Sequence, residues 1–324
     1  MPRQETPEAL CLGAWPGEVA LRPGPLIVSS LGADPPDRSI HFHLSLMSFV
    51  DGEARALSHL PSPEEVDVVF GLAKQLDTKS LTLLRGEGRD HGLVLEGRGE
   101  LGTTSAADAA GKPIRLHLPE GDHENALRRL IDDSVNLLTE NELNQRRIDD
   151  GLAPLNLLWP WGHGVRSAVP NLALGRGERA TVESASFRLA GLARLAGDFH
   201  ADRAPLGRGL ATKFRALADR LLGRTLSIAV LDAFAELAPE AEEERHWLAR
   251  EIDRELLQPL LDRAATESIR IALLAPRKNG DGLALVAEPP VDRGGRWPFD
   301  DRALEERLVV RQDLDAIVRE AATL

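Results

Sequence analysis

Two short apolar runs, Ser227 to Leu231 and Ile269 to Leu274, each stand beside segments of helical periodicity, and this alternation constrains the fold more than any other feature. The helices read around them run from Leu210 to Leu222 and from Ala241 to Ala265, the second long and amphipathic. A strand that is apolar along its whole length turns neither face to water, which is the condition inside a parallel sheet covered by helices. Strand, helix, strand, helix is the order of an α/β protein. With 324 residues, the chain can form one large domain or two ordinary ones around a substantial core.

The first half has a different grain. Pro and Gly crowd the first forty residues around one apolar stretch, Leu26-Ile27-Val28, which reads as an edge strand. From Ser39 the residues His41, His43, Ser45 and Met47 alternate with Phe42, Leu44 and Leu46, a half-buried strand that meets a hairpin turn at Asp51-Gly52. Ser62-Pro63-Glu64-Glu65 opens a helix that runs to about Leu76, with a capping serine, proline in the first turn and acids at the positive end of the dipole. Leu81 to Leu84, Gly92 to Glu96 and Ile114 to Leu118 read as further strands, so 38–118 forms a small α+β unit. Helical periodicity returns from Asp122 through Glu140, Asn156 to Trp159 reads as a short buried strand, and Thr181 or Glu183 opens a helix closing at Gly197.

Charge and cysteine content narrow the function classes. A formal net charge of -12 argues against a nucleic-acid groove or an anionic membrane surface, since both are held by Lys and Arg. A local basic pocket for a small anion needs only a few residues and stays open. The single cysteine, Cys11, permits no internal disulfide and no cysteine metal cluster. The start Met1-Pro2-Arg3-Gln4-Glu5 has no signal-peptide pattern, and no apolar run approaches the roughly 20 residues that span a bilayer. The expectation is a cytoplasmic protein without a membrane segment. A P-loop and a nucleophile elbow are both absent from the sequence.

The most specific stretch runs from Leu155 through Asn156, Trp159, Pro160, Trp161, Gly162 and His163 to Gly164, after Asn144-Gln145-Arg146-Arg147 and the turn Gly151-Leu152-Ala153-Pro154. It resembles the block of the archaeal-type, cofactor-independent phosphoglycerate mutases in which an Asn-x-Arg-Arg helix end leads to a strand and a Trp-x-Trp-Gly-x-Gly loop. The likeness extends to Ser30 to Pro35, to Ala180 to Glu183 with Leu189 to Ala193, and to Arg302 to Val318, so it spans nearly the whole chain. The resemblance implies an alkaline-phosphatase-like α/β core with a central, mostly parallel sheet flanked by helices. That core is built from 1–37 and 119–324, with 38–118 as the small inserted α+β domain. It also implies two divalent metals and a transiently phosphorylated serine, which interconvert 2- and 3-phosphoglycerate. Two close cations activate the serine oxygen and neutralise charge on the phosphoryl group.

Against that pattern, the residues needed for the chemistry are missing. Residues 1–30 contain no aspartate, where the family has acids of a metal site. The Gly-Ser-Asp turn of the nucleophile corresponds to Arg22-Pro23-Gly24-Pro25, and neighbouring Ser29 and Ser30 lack a base or metal beside them. The Asp-x-x-x-His pair after Ser227 to Leu231 is replaced by Glu236 and Glu240, whose plain alternative is a solvated acidic face. After Leu274 the expected Asp-His pair becomes Arg277-Lys278, two cations that repel a metal, and Leu283 to Pro290 holds no histidine.

The sequence therefore reads as a degenerate family member, with no catalytic residue, no metal ligand and no cofactor. Its candidate ligand-binding residues are Asn144, Arg146, Arg147, Trp161, Gly162, His163, Gly164 and Arg277, with Arg166 beside them, facing a small phosphorylated or carboxylate metabolite. Each has a structural alternative: an exposed loop histidine for His163, helix-end capping for Arg146 and Arg147, core packing for Trp159 and Trp161. His91 after Asp90 and His200 before Asp202 read as surface turns. Two other functions stay open. One is an active phosphomutase or phosphohydrolase with ligands relocated to Asp232, Glu236, Glu240 and His41 or His43. The other is a self-associating structural protein, a homo-oligomer.

Overall fold

The computed structural model describes residues 22–166, 180–184, 186–196, 199–202, 206, 209–222, 227–231, 233–237, 241–264, 266–267, 271–276 and 282–287. The chain divides into two compact units, one of Glu18–Ala168 and one of Met1–Gly17 with Val169–Leu324. The first unit holds all of 38–118 together with the elements that follow it up to the Trp-Gly segment.

The first unit begins with helix α1 (Pro23–Ser30), where the sequence reading placed an edge strand. The run Leu26-Ile27-Val28 is buried on every side, and such a short apolar run has no periodicity to separate helix from strand. Pro23 in the first turn, with its φ already set for a helix, decides the matter. Strand β1 (Ser39–Val50) turns through Asp51 and Gly52, at φ 55° and 83°, into β2 (Glu53–Arg55). Two consecutive positive φ angles match the right-handed twist of a tight hairpin.

Helix α2 (Pro63–Ala73) has the capping box that its sequence announces: the Ser62 hydroxyl accepts from the Glu65 N–H, and Glu65 accepts from the Ser62 N–H at 2.7 Å. There follow β3 (Leu81–Glu87), β4 (Asp90–Glu96), β5 (Leu101–Gly102), α3 (Ala106–Ala109), β6 (Lys112–Pro113), β7 (Glu120–Gly121), α4 (Glu124–Thr139), α5 (Glu142–Asp149) and β8 (Leu157–Gly164). Ile114–Leu116, expected as a strand, is a 3-10 turn after the proline that ends β6.

The main sheet runs β3-β4-β1-β2-β6, with β8 pairing the other side of β1, and its pairings are antiparallel. Most of this sheet lies in 38–118, expected as an α+β unit; what departs from expectation is β8, assigned to a mostly parallel core and found antiparallel in this sheet. One face of β1 (Ile40, Phe42, Leu44, Leu46) enters a core with Val66, Val69 and Phe70 of α2, Leu83, Leu93, and Leu127, Leu130 and Leu138 of α4. The other face was expected to be wet, yet His41, His43, Ser45 and Met47 are all buried.

In the second unit β9 (Ala180–Glu183), α6 (Phe187–Ala196), β10 (Phe199–Asp202), α7 (Phe214–Leu222) and β11 (Ser227–Ala229) form a parallel sheet in the order β10-β9-β11. The α/β signature of the sequence is realised here, although Thr181 and Glu183 lie in a strand and the helix starts at Phe187. His200 and Asp202 belong to β10 and not to a turn. Helix α8 (Glu242–Ile252) passes through a π-helical turn, Asp253–Leu257, into α9 (Gln258–Ala264), and Leu248, Ile252, Leu256 and Leu260 of this run pack with Phe214 and Leu217 of α7. The second apolar run forms β12 (Ile271–Pro276), which pairs antiparallel with β13 (Gly282–Ala287) and so departs from the parallel pairing expected of it. The fold is thus mixed α/β, with antiparallel sheets in the first unit and both parallel and antiparallel pairings in the second. No helix among the described residues is long and apolar enough to cross a membrane.

Candidate functional site

The Trp-Gly segment is the end of β8, and β1 dictates its shape. The register pairs His43 with Trp161 and His41 with Gly164, so two residues, Gly162 and His163, stand opposite Phe42 alone. This is a β-bulge. Gly162 takes φ +61°, a conformation that costs a residue with a Cβ, and the extra residue breaks the alternation of side chains. Trp161 stays on the face of His43, with ring centroids 4.7 Å apart, and its indole N–H donates to Ser45 Oγ at 2.9 Å. His163 is instead re-aimed toward Phe42, 6.0 Å between centroids, and its Nδ1 meets Thr103 Oγ1 at 3.0 Å.

Helix α1 covers the histidine face of β1, and glycines let it come close. A Cβ on Gly24 would lie 2.1 Å from the His41 carbonyl oxygen, and one on Gly162 would lie 2.9 Å from the Pro23 side chain. Gly164 would meet Arg22 at 3.0 Å, and Gly92, opposite His43, would meet Leu31 at 3.3 Å. Beneath this cover, His41 Nε2 contacts Ser39 Oγ at 3.0 Å, and the Ser39 hydroxyl donates to the Pro36 carbonyl at 2.6 Å. With that proton engaged, His41 must donate through Nε2, which leaves Nδ1 a bare acceptor, and no partner reaches it. Burial, assisted by the charge of Arg166, pushes His41 down to about 4, so it is neutral near pH 7.

His43 Nε2 lies 3.0 Å from Asp90 Oδ1, both side chains nearly out of solvent. The sequence reading missed Asp90 as a partner and took Asp90-His91 for a surface turn. His91 is fully buried: Nδ1 accepts from the Gly86 N–H at 2.9 Å, and Nε2 donates to the Gly88 carbonyl at 3.0 Å. Burial pushes it down to about 3, partly opposed by Asp90. The pairing of His43 with His91's neighbour across β1 and β4 is a matter of strand register, which no local signal reveals.

The other candidates lie on a different element. Asn144 of α5 is buried, donating to the carbonyls of Leu138 (2.6 Å) and Leu155 (3.2 Å) and accepting from the Leu155 N–H at 2.6 Å. Arg147, 4% exposed, donates to Glu65 Oε1 at 2.6 Å and to the Ala153 carbonyl at 2.8 Å. Arg146 is exposed and returns to the Glu142 carbonyl at 3.3 Å. Arg166 donates to Asp34 at 2.7 Å across an exposed ion pair. The structure therefore gathers Trp161, Gly162, His163 and Gly164, adds Arg22 and Arg166 beside them, and turns the polar atoms of Asn144 and Arg147 to the protein interior. Arg277, Asp232 and Glu240 lie outside the described residues.

Among the described residues no group of three or more His, Cys, Asp or Glu is arranged to hold a metal ion. At the place of the nucleophile turn, Arg22 to Pro25 start α1, and the buried hydroxyl of Ser30 at its far end donates to the Ile27 carbonyl at 2.8 Å. No phosphoryl-transfer step is derived from these residues.

No protein-family profile matches the chain. It is 28% identical over 266 residues to 2,3-bisphosphoglycerate-independent phosphoglycerate mutase 2 of Methanothermobacter thermautotrophicus, covering 78% of this chain and 64% of that protein. It is 27% identical over 248 residues to the corresponding mutase of Methanothrix thermoacetophila, covering 74% of this chain and 62% of that one. The chain thus spans less than two thirds of the length of these relatives. Among solved structures, a cofactor-independent phosphoglycerate mutase from Thermoplasma acidophilum has a TM-score of 0.53 at 17% identity, covering 98% of this chain and 87% of that one. A Pyrococcus horikoshii protein reaches 0.63 at 18% identity, covering 94% and 79%. The homologues of this chain thus include archaeal 2,3-bisphosphoglycerate-independent phosphoglycerate mutases, and the solved structures share its mixed α/β fold.

Proposed function

We propose that this protein keeps a phosphoglycerate-mutase-like scaffold, with an alkaline-phosphatase-like core, and does not carry out metal-dependent phosphoryl transfer. Its role in this reading is recognition of a small phosphorylated or carboxylate metabolite, coupled to a partner protein or to a second copy of itself, in the cytoplasm. One observation carries the proposal: Arg22 to Pro25, the place of the nucleophile turn by resemblance, form a hydroxyl-free helix start seated on Gly162 and Gly164. A nucleophile needs an oxygen there and a cation beside it. Arg277-Lys278, following β12 in sequence, supports the same reading, because two cations oppose metal binding.

The names of the relatives favour a second reading, an active mutase with its ligands placed elsewhere. The two part in one experiment. Purified protein is analysed for bound Mn, Zn, Co and Mg, and assayed for interconversion of 2- and 3-phosphoglycerate with each metal added. The proposal expects no stoichiometric metal and no turnover above a metal-only control. Metal-dependent turnover sinks it.

A further inference from the structure

We propose that α8 is the surface through which two copies of this chain pair, antiparallel about a two-fold axis, with Trp247 of each copy at the axis. The choice between a partner protein and a second copy, open in the reading above, falls to the second copy.

Trp247 is 58% exposed, although folded chains bury most of a tryptophan. It stands on the side of α8 away from Leu248 and Ile252, which pack into the core of the second unit. Residues three and four apart share a helix face, so Glu243 and Glu244 lie one turn before Trp247, and Arg250 and Glu251 one turn after it, with Arg254 beyond. The stripe is acidic, then aromatic, then basic. Arg254 donates to Glu251 at 2.7 Å and to Glu255 at 2.8 Å, so its charge is met within the chain. Glu244 and Arg250 are exposed and have no ion pair among the described residues. Acids early and bases late suit the helix dipole, which accounts for the signs but not for a large exposed ring between them.

This stripe is its own complement. In a two-fold interface residue i meets j and j meets i. Antiparallel helices centred on residue 247 bring Trp247 to its own copy and set Glu244, three before the centre, against Arg250, three after it. Each dimer then gains two such ion pairs, while Glu243 faces Glu251 already bound to Arg254. A parallel pairing would set acid on acid and arginine on arginine, which like-charge repulsion opposes. The stripe from Glu243 to Arg254 is about 16 Å long, less than a standard interface, so the dimer is a weak, micromolar one.

Sedimentation of the full chain, from about 1 to about 300 µM, reads the monomer–dimer equilibrium. Trp247→Ala, with its fold checked by circular dichroism, should weaken dimerisation about thirtyfold or more. Glu244→Arg alone and Arg250→Glu alone should each weaken it about tenfold, and the two together should restore it. Positions 244 and 250 are six apart and are not neighbours on one helix, so restoration can come only across the axis. A chain that stays monomeric over this range, leaving Trp247 to a different protein, overturns the proposal. So does a dimer indifferent to Trp247→Ala, or a charge swap that restores nothing. Mutase turnover would sink the non-catalytic reading without touching this interface.

Discussion

Removing Glu65 should cost far more than removing an ordinary surface acid, because two structures depend on one carboxylate. Oε2 closes the capping box of α2 on the Ser62 N–H, and Oε1 receives Arg147 at 2.6 Å. Arg147 is almost wholly buried, so Glu65→Ala leaves a guanidinium inside without its counter-charge. Breaking such a pair from one side costs about 3 kcal/mol or more, and losing the reciprocal cap adds about 1 kcal/mol. Arg147→Met leaves the acid free to keep capping and to reach water, since its side chain is 22% exposed, and should cost about 1–2 kcal/mol. The double variant no longer buries an unpaired charge and should be no worse than Glu65→Ala alone, a coupling of at least about 1 kcal/mol. Urea unfolding by circular dichroism gives the totals. Hydrogen exchange in α2 and α5 localises them, because the two compact units need not unfold together. Burial works to raise the Glu65 carboxyl, but bonds from Ser62 and Arg147 outweigh it and hold it below the usual range. Its contribution is therefore complete above the unfolded carboxylate pKa and disappears as pH falls through the folded one. Additive single variants, within about 0.5 kcal/mol, would refute the coupling and free Arg147 for a ligand role.

Other outcomes follow from the same contacts. Gly162→Ala should destabilise by about 1–2 kcal/mol from its left-handed backbone alone, with more from the contact at Pro23, read as a lowered thermal midpoint. Ser134→Ala should expose the loss of a bridge in which Ser134 Oγ accepts from the Leu158 N–H at 3.1 Å and donates to the Ile131 carbonyl at 2.7 Å. The cost is about 1–3 kcal/mol, and the Leu158 amide should exchange faster than its β8 neighbours; unchanged exchange would count against the bridge. His41 and His91 have folded pKa values below the unfolded one, so their contribution is full above the ordinary histidine value and is lost as pH falls toward about 4 and about 3. Thermal midpoints should drop from pH 7 to 4.5, less steeply in His91→Gln; a flat profile in the parent protein would contradict the buried neutral rings.

Local rules carried much of the fold. The capping box at Ser62 and the turn at Asp51-Gly52 rest on contacts within a few residues and form where the sequence places them, and the second unit alternates strand and helix, though with Thr181 and Glu183 in a strand. The failures have a common cause. Leu26 to Val28 is too short and too uniformly buried to show a period, and the apolar run Ile271 to Pro276 carries no signal that separates antiparallel from parallel pairing. The histidines of β1 look like a wet face because polar residues usually mean water. Here α1 covers them, and its ability to do so depends on glycines in three separate segments, Gly24, Gly92 and Gly164, which no single window of sequence brings together.

The site shows the same division between motif and environment. Trp161, Gly162, His163 and Gly164 were legible as a cluster because they are consecutive, and the bulge holds them together. Asn144 and Arg147 carry the same motif signal but serve the interior: Asn144 ties α5 to Leu155, and Arg147 ties it to the start of α2. A motif shared with the mutases therefore mixes residues whose polar atoms serve the interior with residues at the end of β8, and burial separates them. That separation bears on the proposed loss of chemistry. The scaffold part depends on packing that any descendant must keep to fold, so it persists whether or not phosphoryl transfer does. Ligand positions carry no such constraint, and it is at Arg22 to Pro25 and Arg277-Lys278 that the sequence departs. Of these, Arg22 is the informative one. Its stem packs against Gly164 while the residue is exposed, so Arg22→Gln, which keeps the stem and removes the charge, separates packing from the proposed recognition of an anion.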